Sequence, residues 1–300
     1  MLTIILITMV VLLLLGFPMM IPLLVGTMLM LLLELDFLSH SRIVNQMISG
    51  VKPVVLAAVP MFILAADIMT KGRTANRLLD LVSACVGHLR GGLPITTAVS
   101  CTLFGAVSGS TQATVVAMGG PMRPRLLQKG YKDSFALALI INASDIALLI
   151  PPSIGMIVYG VVSNTSVGQL FIAGILPGLL ILVMFSIYCW IGSRLQGVEP
   201  EERVDWRGRL RALRLALLPL GFPIIVVGGI YTGTFSPIEA SAIAVLYALF
   251  MELIVFRSIS FRDLWAIALS TGLITAVGLS PRVCRIGVMI SCGTWATDIT

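Results

Sequence analysis

The chain has 300 residues with 20 Lys and Arg against 14 Asp and Glu, a net charge of +6, and 58% of its residues are hydrophobic whereas 11% are charged. With a mean hydropathy of +1.04, this composition excludes an ordinary soluble domain. The charges stand in short clusters between long uncharged segments, which is typical of loops between membrane spans and argues against nucleic-acid binding. We therefore expect an all-α, polytopic membrane protein.

The N-terminal part of the chain is apolar. Its first 33 residues carry no charge, which is too long for one crossing of about 20 residues and short for two, and Gly16-Phe17-Pro18 is the expected break. Because residues 1–15 lack a charged start and a small-residue cleavage site, we interpret them as a retained anchor. Residues 34–52 mix charged and apolar side chains and are predicted to lie at the membrane interface. The apolar segment 53–70 contains Asp67, which we expect to pair with Lys71.

The segment 91–122 is uncharged and has basic residues on both sides, so both of its ends are predicted to be cytoplasmic. At about 1.5 Å per residue, roughly 32 residues give about 48 Å of helix, whereas two full crossings of a core about 30 Å thick need about 60 Å. Two half-crossing arms fit this length better. The centre of the segment is rich in small and hydroxylated residues: Gly105, Ala106, Ser108, Gly109, Ser110 and Thr111. We predict a re-entrant hairpin with this centre near mid-membrane, where irregular backbone must be buried in protein or face a water-filled cavity.

The next apolar region, 134–194, contains one charge, Asp145, and a Pro151-Pro152 pair that must break its first helix. Asn142, Ser144 and Asp145 precede the break and Ser153 follows it. Arginines between 203 and 214 indicate an amphipathic cytoplasmic connector, and segments 215–231 and 237–256 are predicted as two further spans. Glu239 is expected to be a first-turn acid favoured by the helix dipole.

A hairpin and a proline-broken helix that meet at mid-bilayer are how secondary transporters build ion and substrate sites. The alternative is that glycine and serine only let the helices pack closely, as in a membrane assembly protein that does not transport. An intramembrane serine protease needs a histidine near its nucleophile, and no histidine follows Ser108 or Ser110. A nucleotide-driven pump is disfavoured because no phosphate-binding glycine loop is present, and the cysteine and histidine pattern favours neither a disulfide framework nor a zinc site.

Several motifs together are similar to those of one transporter family. They are Phe104-Gly105-Ala106-Val107-Ser108-Gly109-Ser110, Lys129-Gly130-Tyr131, Ile150-Pro151-Pro152-Ser153, Tyr159-Gly160, Leu170-Phe171-Ile172-Ala173-Gly174-Ile175-Leu176-Pro177-Gly178, Gly228-Gly229-Ile230 and Phe235-Ser236-Pro237-Ile238-Glu239-Ala240. Over about residues 1–277 the chain resembles the large permease subunit of tripartite ATP-independent periplasmic (TRAP) transporters.

The resemblance implies a multi-pass importer of the bacterial inner membrane that is not an enzyme. It also implies a sodium gradient as energy source, an elevator motion, an organic acid as substrate, and two partners: a small four-helix membrane subunit and a periplasmic substrate-binding protein. The sodium ion is expected near Ser108, Gly109, Ser110 and Ser144. The full set of expected ion- and substrate-binding residues is Gly105, Ser108, Gly109, Ser110, Thr111, Asn142, Ser144, Asp145, Pro151, Pro152 and Ser153.

Two departures from the family pattern shape further expectations. Family members often carry an aspartate in the hairpin where this chain has Thr114, and a hydroxyl residue where it has Asp145; we hypothesise that the carboxylate has moved across the same cavity. Family chains also contain a second inverted half with its own hairpin. The resemblance stops after Val277, so we expect a truncated or frameshifted product that does not transport alone, because its site would be half built.

The predicted organisation has five segments: scaffold spans and an interfacial arm helix (1–70), a transport-type region with the hairpin 91–122 and the broken helix 134–163 (71–193), a cytoplasmic amphipathic connector (194–214), further spans (215–277) and an atypical tail (278–300). This arrangement would be the N-terminal portion of an inverted-repeat elevator transporter.

Overall fold

The computed structural model describes residues 2–17, 21–22, 25–26, 28–29, 52–196, 198, 205–260 and 262–275. All regular elements in these ranges are helical, which confirms the all-α prediction. The predicted tail, 278–300, and all of the predicted interfacial segment except Lys52 lie outside the described residues.

The chain divides into two compact units, one formed by residues 1–56 with 272–300 and the other by residues 57–271. The first unit contains α1, Leu2–Leu14. The second contains α2 (Ala58–Lys71), α3 (Thr74–Val86), α4 (Gly92–Ser108), α5 (Thr111–Gln128), α6 (Asp133–Asp145), α7 (Ile154–Ser163), α8 (Val167–Gln196), α9 (Trp206–Tyr231) and α10 (Pro237–Leu249). A further helix covers residues 262–275. The assignment of scaffold and transport roles to chain segments stays a prediction.

Four helical stretches among the described residues are long and apolar enough to cross a membrane: Val54–Lys71, Val167–Arg194, Trp206–Tyr231 and Pro237–Val255. The chain is therefore a multi-pass membrane protein. Gly92–Ser108 and Ile154–Ser163 are apolar but shorter than these four stretches. That they end inside the hydrocarbon layer stays a prediction.

Local signals explain where several helices begin. The Ser236 hydroxyl accepts from the Glu239 N–H, the Glu239 carboxylate accepts from the Ser236 N–H at 2.8 Å, and Pro237 is the first residue of α10. This is a capping box, so Glu239 is a first-turn acid as predicted. In the same way, the Ser153 hydroxyl accepts from the Met156 N–H at the start of α7.

Two boundaries differ from the sequence prediction. The second arm of the hairpin continues past Met122 to Gln128, with Pro121 and Pro124 inside α5. The connector arginines between 207 and 214 belong to the same continuous helix, α9, as the span that follows them. The prediction placed both boundaries where charged residues begin. A helix can continue through charged residues, and arginine has a high helix propensity, so both helices extend further than predicted.

Helix α4 lies at the centre of the second unit and is buried along most of its length. It packs against α3, α5, α6 and α8, so its C-terminal end is held from several sides. Cys101 and Phe104, on the last two turns of α4, have no exposed surface. This rigid surrounding fixes the position of the turn that follows Ser108.

Candidate functional site

The hairpin tip, residues 108–111, joins α4 to α5 in two residues. Gly109 ends α4 with φ of 60° in the left-handed region, and its N–H donates to the Gly105 carbonyl at 2.8 Å. Ser110 is extended, with φ of −135°, and α5 begins at Thr111. Glycine adopts the left-handed conformation without the steric penalty that a Cβ brings, which explains the reversal at this position.

Hydroxyl groups hold the hairpin tip together. The Ser108 and Thr114 hydroxyls lie 2.9 Å apart, and both side chains are fully buried. The Ser110 carbonyl oxygen lies within hydrogen-bond distance of both, 3.3 Å from the Ser108 Oγ and 2.9 Å from the Thr114 Oγ1, so one hydroxyl donates to this carbonyl while the other donates to its neighbouring hydroxyl. The Thr114 hydroxyl therefore connects the first turn of α5 to the hairpin tip that precedes it.

Thr111 provides the unsatisfied group of the hairpin tip. Its Oγ1 atom is buried and has no hydrogen-bond partner among the described residues. Leaving a buried hydroxyl unpaired costs about 1–3 kcal/mol, so such a group calls for a ligand, an ion or a water molecule.

The proline break, residues 149–153, interrupts the next apolar region as predicted. Helix α6 ends at Asp145, a short 3-10 turn covers Ile146–Leu148, and α7 begins at Ile154. Across the break, the Ser153 hydroxyl donates to the Leu148 carbonyl at 2.7 Å. The Ser153 hydroxyl thus forms one hydrogen bond with a carbonyl before the break, that of Leu148, and one with an N–H after it, that of Met156.

The hairpin tip packs directly on the proline break. The Ile154 N–H donates to the Gly109 carbonyl at 3.2 Å. A Cβ on Gly109 would overlap the Pro152 carbonyl oxygen, and a Cβ on Gly105 would lie 2.6 Å from the Ala147 Cβ. Both glycines are therefore required for the close approach of the two backbones.

The structure brings seven of the predicted site residues together at this contact: Gly105, Ser108, Gly109, Ser110, Thr111, Pro152 and Ser153. Pro151 is buried in the break beside them. Ser144 is buried one turn before the break, where its hydroxyl donates to the Ile140 carbonyl at 2.7 Å and approaches the Cys101 sulfur at 3.7 Å. Ser144 thus lies on the α4–α6 contact.

Asn142 and Asp145 lie on the exposed face of α6 instead. The Asn142 amide donates to the Ala138 carbonyl at 2.7 Å, within its own helix. A role for either residue in binding ion or substrate stays a prediction, as does the hypothesis that a carboxylate has moved from the hairpin to Asp145.

Asp67 has a different partner from the one expected. Its carboxylate accepts from the Thr271 hydroxyl at 2.8 Å. Within the described residues the salt bridge found is Arg123–Asp133, at 2.9 Å, so Asp67 and Lys71 form no direct salt bridge and the predicted pairing is limited to an electrostatic attraction at longer range. The hydrogen-bond partner of this carboxylate is therefore a residue distant in the chain.

Sequence reasoning missed Glu252. This carboxylate has no exposed surface and accepts from the backbone N–H groups of Arg73 and Thr74, both at 3.2 Å, and from the Thr74 hydroxyl at 2.6 Å. It also accepts a hydrogen bond from the Ser258 hydroxyl. Glu252 therefore caps the N-terminus of α3 from the π-helical segment Phe250–Val255. An acidic residue beyond the first turn of an apolar span was the signal that could have found it.

Comparison with known proteins gives one family. The family model described as "Tripartite ATP-independent periplasmic transporter, DctM component" matches residues 6–280. The chain is 61% identical over 276 residues to the ectoine TRAP transporter large permease protein TeaC of Halomonas elongata, covering 92% of this chain and 65% of that protein.

Two further relatives are also large permease proteins of TRAP transporters. The ectoine/5-hydroxyectoine TRAP transporter large permease protein UehC of Ruegeria pomeroyi is 62% identical over 90% of this chain and 63% of its own length. The C4-dicarboxylate TRAP transporter large permease protein DctM of Pseudomonas aeruginosa is 41% identical over 73% of this chain and 52% of its own length. The chain thus spans just under two thirds of the length of the first two relatives.

Proposed function

The chain belongs to the family of DctM components, the large permease proteins of TRAP transporters, and from this membership we propose that it serves solute import across the bacterial inner membrane. The family is a transporter component and not an enzyme family. The packing of the hairpin tip on the proline break is the observation that carries the proposal, because paired irregular elements inside a membrane protein form the sites of secondary transporters.

The proposed substrate is an organic acid, and within that class ectoine. The support is the identity of 61% and 62% to two permeases named for ectoine, against 41% to one named for C4-dicarboxylates. In the proposed assembly, the large permease protein works with a small four-helix membrane subunit and receives the substrate from a periplasmic binding protein, and an elevator motion carries it across.

Sodium is the proposed coupling ion. Sodium in transporters is coordinated by carbonyl oxygens of unwound backbone and by hydroxyls, and the hairpin tip offers this kind of atom. Thr111 Oγ1 is buried with no partner among the described residues, which fits a hydroxyl that completes its coordination with an ion. The Ser110 carbonyl and Ser108 hydroxyl lie on the same turn. These groups would bind the ion next to the break, so that ion binding and hairpin position depend on each other.

Uptake of labelled ectoine tests this function. Membrane vesicles that contain the protein extended by an in-frame second half, with the small subunit and the binding protein, are expected to accumulate ectoine when a sodium gradient is imposed. They are expected to lose this accumulation when potassium replaces sodium. The 300-residue chain with the same partners is expected not to accumulate ectoine, because its site is half built. Accumulation that follows a proton gradient in the absence of sodium would overturn the coupling proposal. Absence of uptake under any gradient, with the complex assembled, would favour a non-transporting assembly role.

Thr111→Val is the variant that probes the ion site. Valine keeps the shape and removes Oγ1, so we expect the sodium concentration for half-maximal uptake to rise about 10- to 100-fold, the effect of losing one buried oxygen contact. Thr97→Val is the matched control, because the Thr97 hydroxyl is buried in the same hairpin but donates to the Leu93 carbonyl at 3.0 Å. An unchanged sodium dependence in Thr111→Val would contradict the role given to Thr111.

A further inference from the structure

The first turns of α9 carry a stripe of exposed arginines. Arg207, Arg211 and Arg214 are exposed and recur at intervals of four and three residues, so they lie on one face of the helix. None of the three forms a salt bridge with a residue that the structure describes. Three like charges that lie side by side, and that pair with no acid among the described residues, raise the local positive potential and favour an anionic ligand.

An exposed apolar stripe runs beside the arginines. It consists of Trp206, Leu210, Leu213 and Leu217, spaced by four, three and four residues, with 72% of Trp206 and 60% of Leu217 exposed. This stripe starts with an amphipathic aromatic residue, which prefers the boundary between headgroups and acyl chains, and leads into the apolar part of the span.

The other side of α9 is occupied by the protein. Ala216 and Pro219 are buried there, and the remaining arginine of this stretch, Arg209, lies with its Nη2 3.3 Å from the His88 Nδ1. Arg209 therefore attaches α9 to the loop between α3 and α4. Arg207, Arg211 and Arg214 have no comparable contact with the residues that the structure describes.

We propose that Arg207, Arg211 and Arg214 bind the phosphate headgroup of an anionic phospholipid in the cytoplasmic leaflet. Guanidinium groups match phosphate oxygens in geometry as well as in charge. The acyl chains of the same lipid lie along Trp206, Leu210, Leu213 and Leu217. The site is independent of the coupling-ion site and would fix the height and rotation of α9 at the membrane surface.

Lipid titration tests this site. Purified, delipidated protein is titrated with phosphatidylglycerol or with zwitterionic phosphatidylcholine, and bound lipid is counted by native mass spectrometry. We expect a preference for phosphatidylglycerol that falls about 100-fold in the triple variant Arg207→Gln, Arg211→Gln, Arg214→Gln, because each basic residue near the surface contributes about one factor of 5. The matched control removes three exposed charges elsewhere, in Arg125→Gln, Lys129→Gln, Lys132→Gln, and is expected to keep the preference.

Three further arms decide what occupies the surface. A photoactivatable phosphatidylglycerol is expected to cross-link to residues 206–217. This experiment uses the unaltered protein, so its result does not depend on whether the variants fold. Soluble glycerol phosphate is expected not to displace the lipid, since it lacks the chains that cover the apolar stripe. Equal binding of both lipids, an equal loss in the control variant, or cross-links confined to other helices would overturn the proposal. Loss of the small membrane subunit from the triple variant, with normal phosphatidylglycerol binding, would assign this surface to a protein partner instead.

Discussion

Replacing Gly109 by alanine is expected to reduce transport about 100-fold, the size of effect that follows when a precise site is displaced by on the order of 1 Å. The alanine Cβ would overlap the Pro152 carbonyl oxygen, so the hairpin tip and the proline break must move apart. The residue must also hold φ of 60°, which costs a residue with a Cβ about 1–2 kcal/mol. Ectoine uptake and thermal unfolding of the same complex measure the two effects.

Two other glycines provide matched controls. Gly130 has φ of 91°, and a Cβ added to it would have no described atom within 4 Å, so Gly130→Ala carries the backbone penalty without the overlap. Gly120 has neither a positive φ nor a close neighbour among the described residues, so Gly120→Ala is expected to be nearly neutral. If Gly109→Ala transports as well as Gly130→Ala, the close packing of the tip on the break has no functional importance.

Replacing Glu252 by alanine is expected to destabilise the protein by about 3–5 kcal/mol, since several buried donors lose their acceptor at once. The backbone N–H groups of Arg73 and Thr74 and the Thr74 hydroxyl would be left without the carboxylate that now receives them. The loss should appear as a lower unfolding temperature of the purified protein, and Glu252→Gln should be intermediate because its amide keeps one acceptor oxygen.

Glu239 offers the comparison for Glu252. Both glutamates belong to the same predicted span, but Glu239 is exposed and serves a single capping box. Glu239→Ala is therefore expected to lower the unfolding temperature much less than Glu252→Ala does, because one exposed cap is lost. Equal destabilisation by the two alanine variants would show that the buried contacts of Glu252 contribute nothing beyond an ordinary cap.

Features with a local cause could be predicted from the sequence. The Pro151-Pro152 pair breaks its helix, Gly109 reverses the chain, and Ser236 with Glu239 starts α10. In each case the residues that cause the feature are neighbours in the chain, so steric restriction or a cap is readable from their order.

Contacts between distant segments could not be predicted in the same way. Glu252 binds Thr74 across 178 positions, and Asp67 binds Thr271 across 204. Nothing near Glu252 or Asp67 in the sequence indicates which helix will be its neighbour, because that choice depends on the packing of the whole unit. The sequence also does not indicate which side of α6 is buried: Ser144 is buried and Asp145 is exposed, although the two residues are adjacent.

Hydrogen exchange of the purified protein in sodium and in potassium tests the coupling-ion site most directly. We expect sodium to slow exchange in peptides covering residues 105–111 and 150–157, because an ion at Thr111 holds the Gly109 carbonyl and the Ile154 N–H in their bond. Exchange in α10, away from the tip, should not change. Equal exchange at the tip and the break in the two salts would contradict the proposal that these elements form the sodium site.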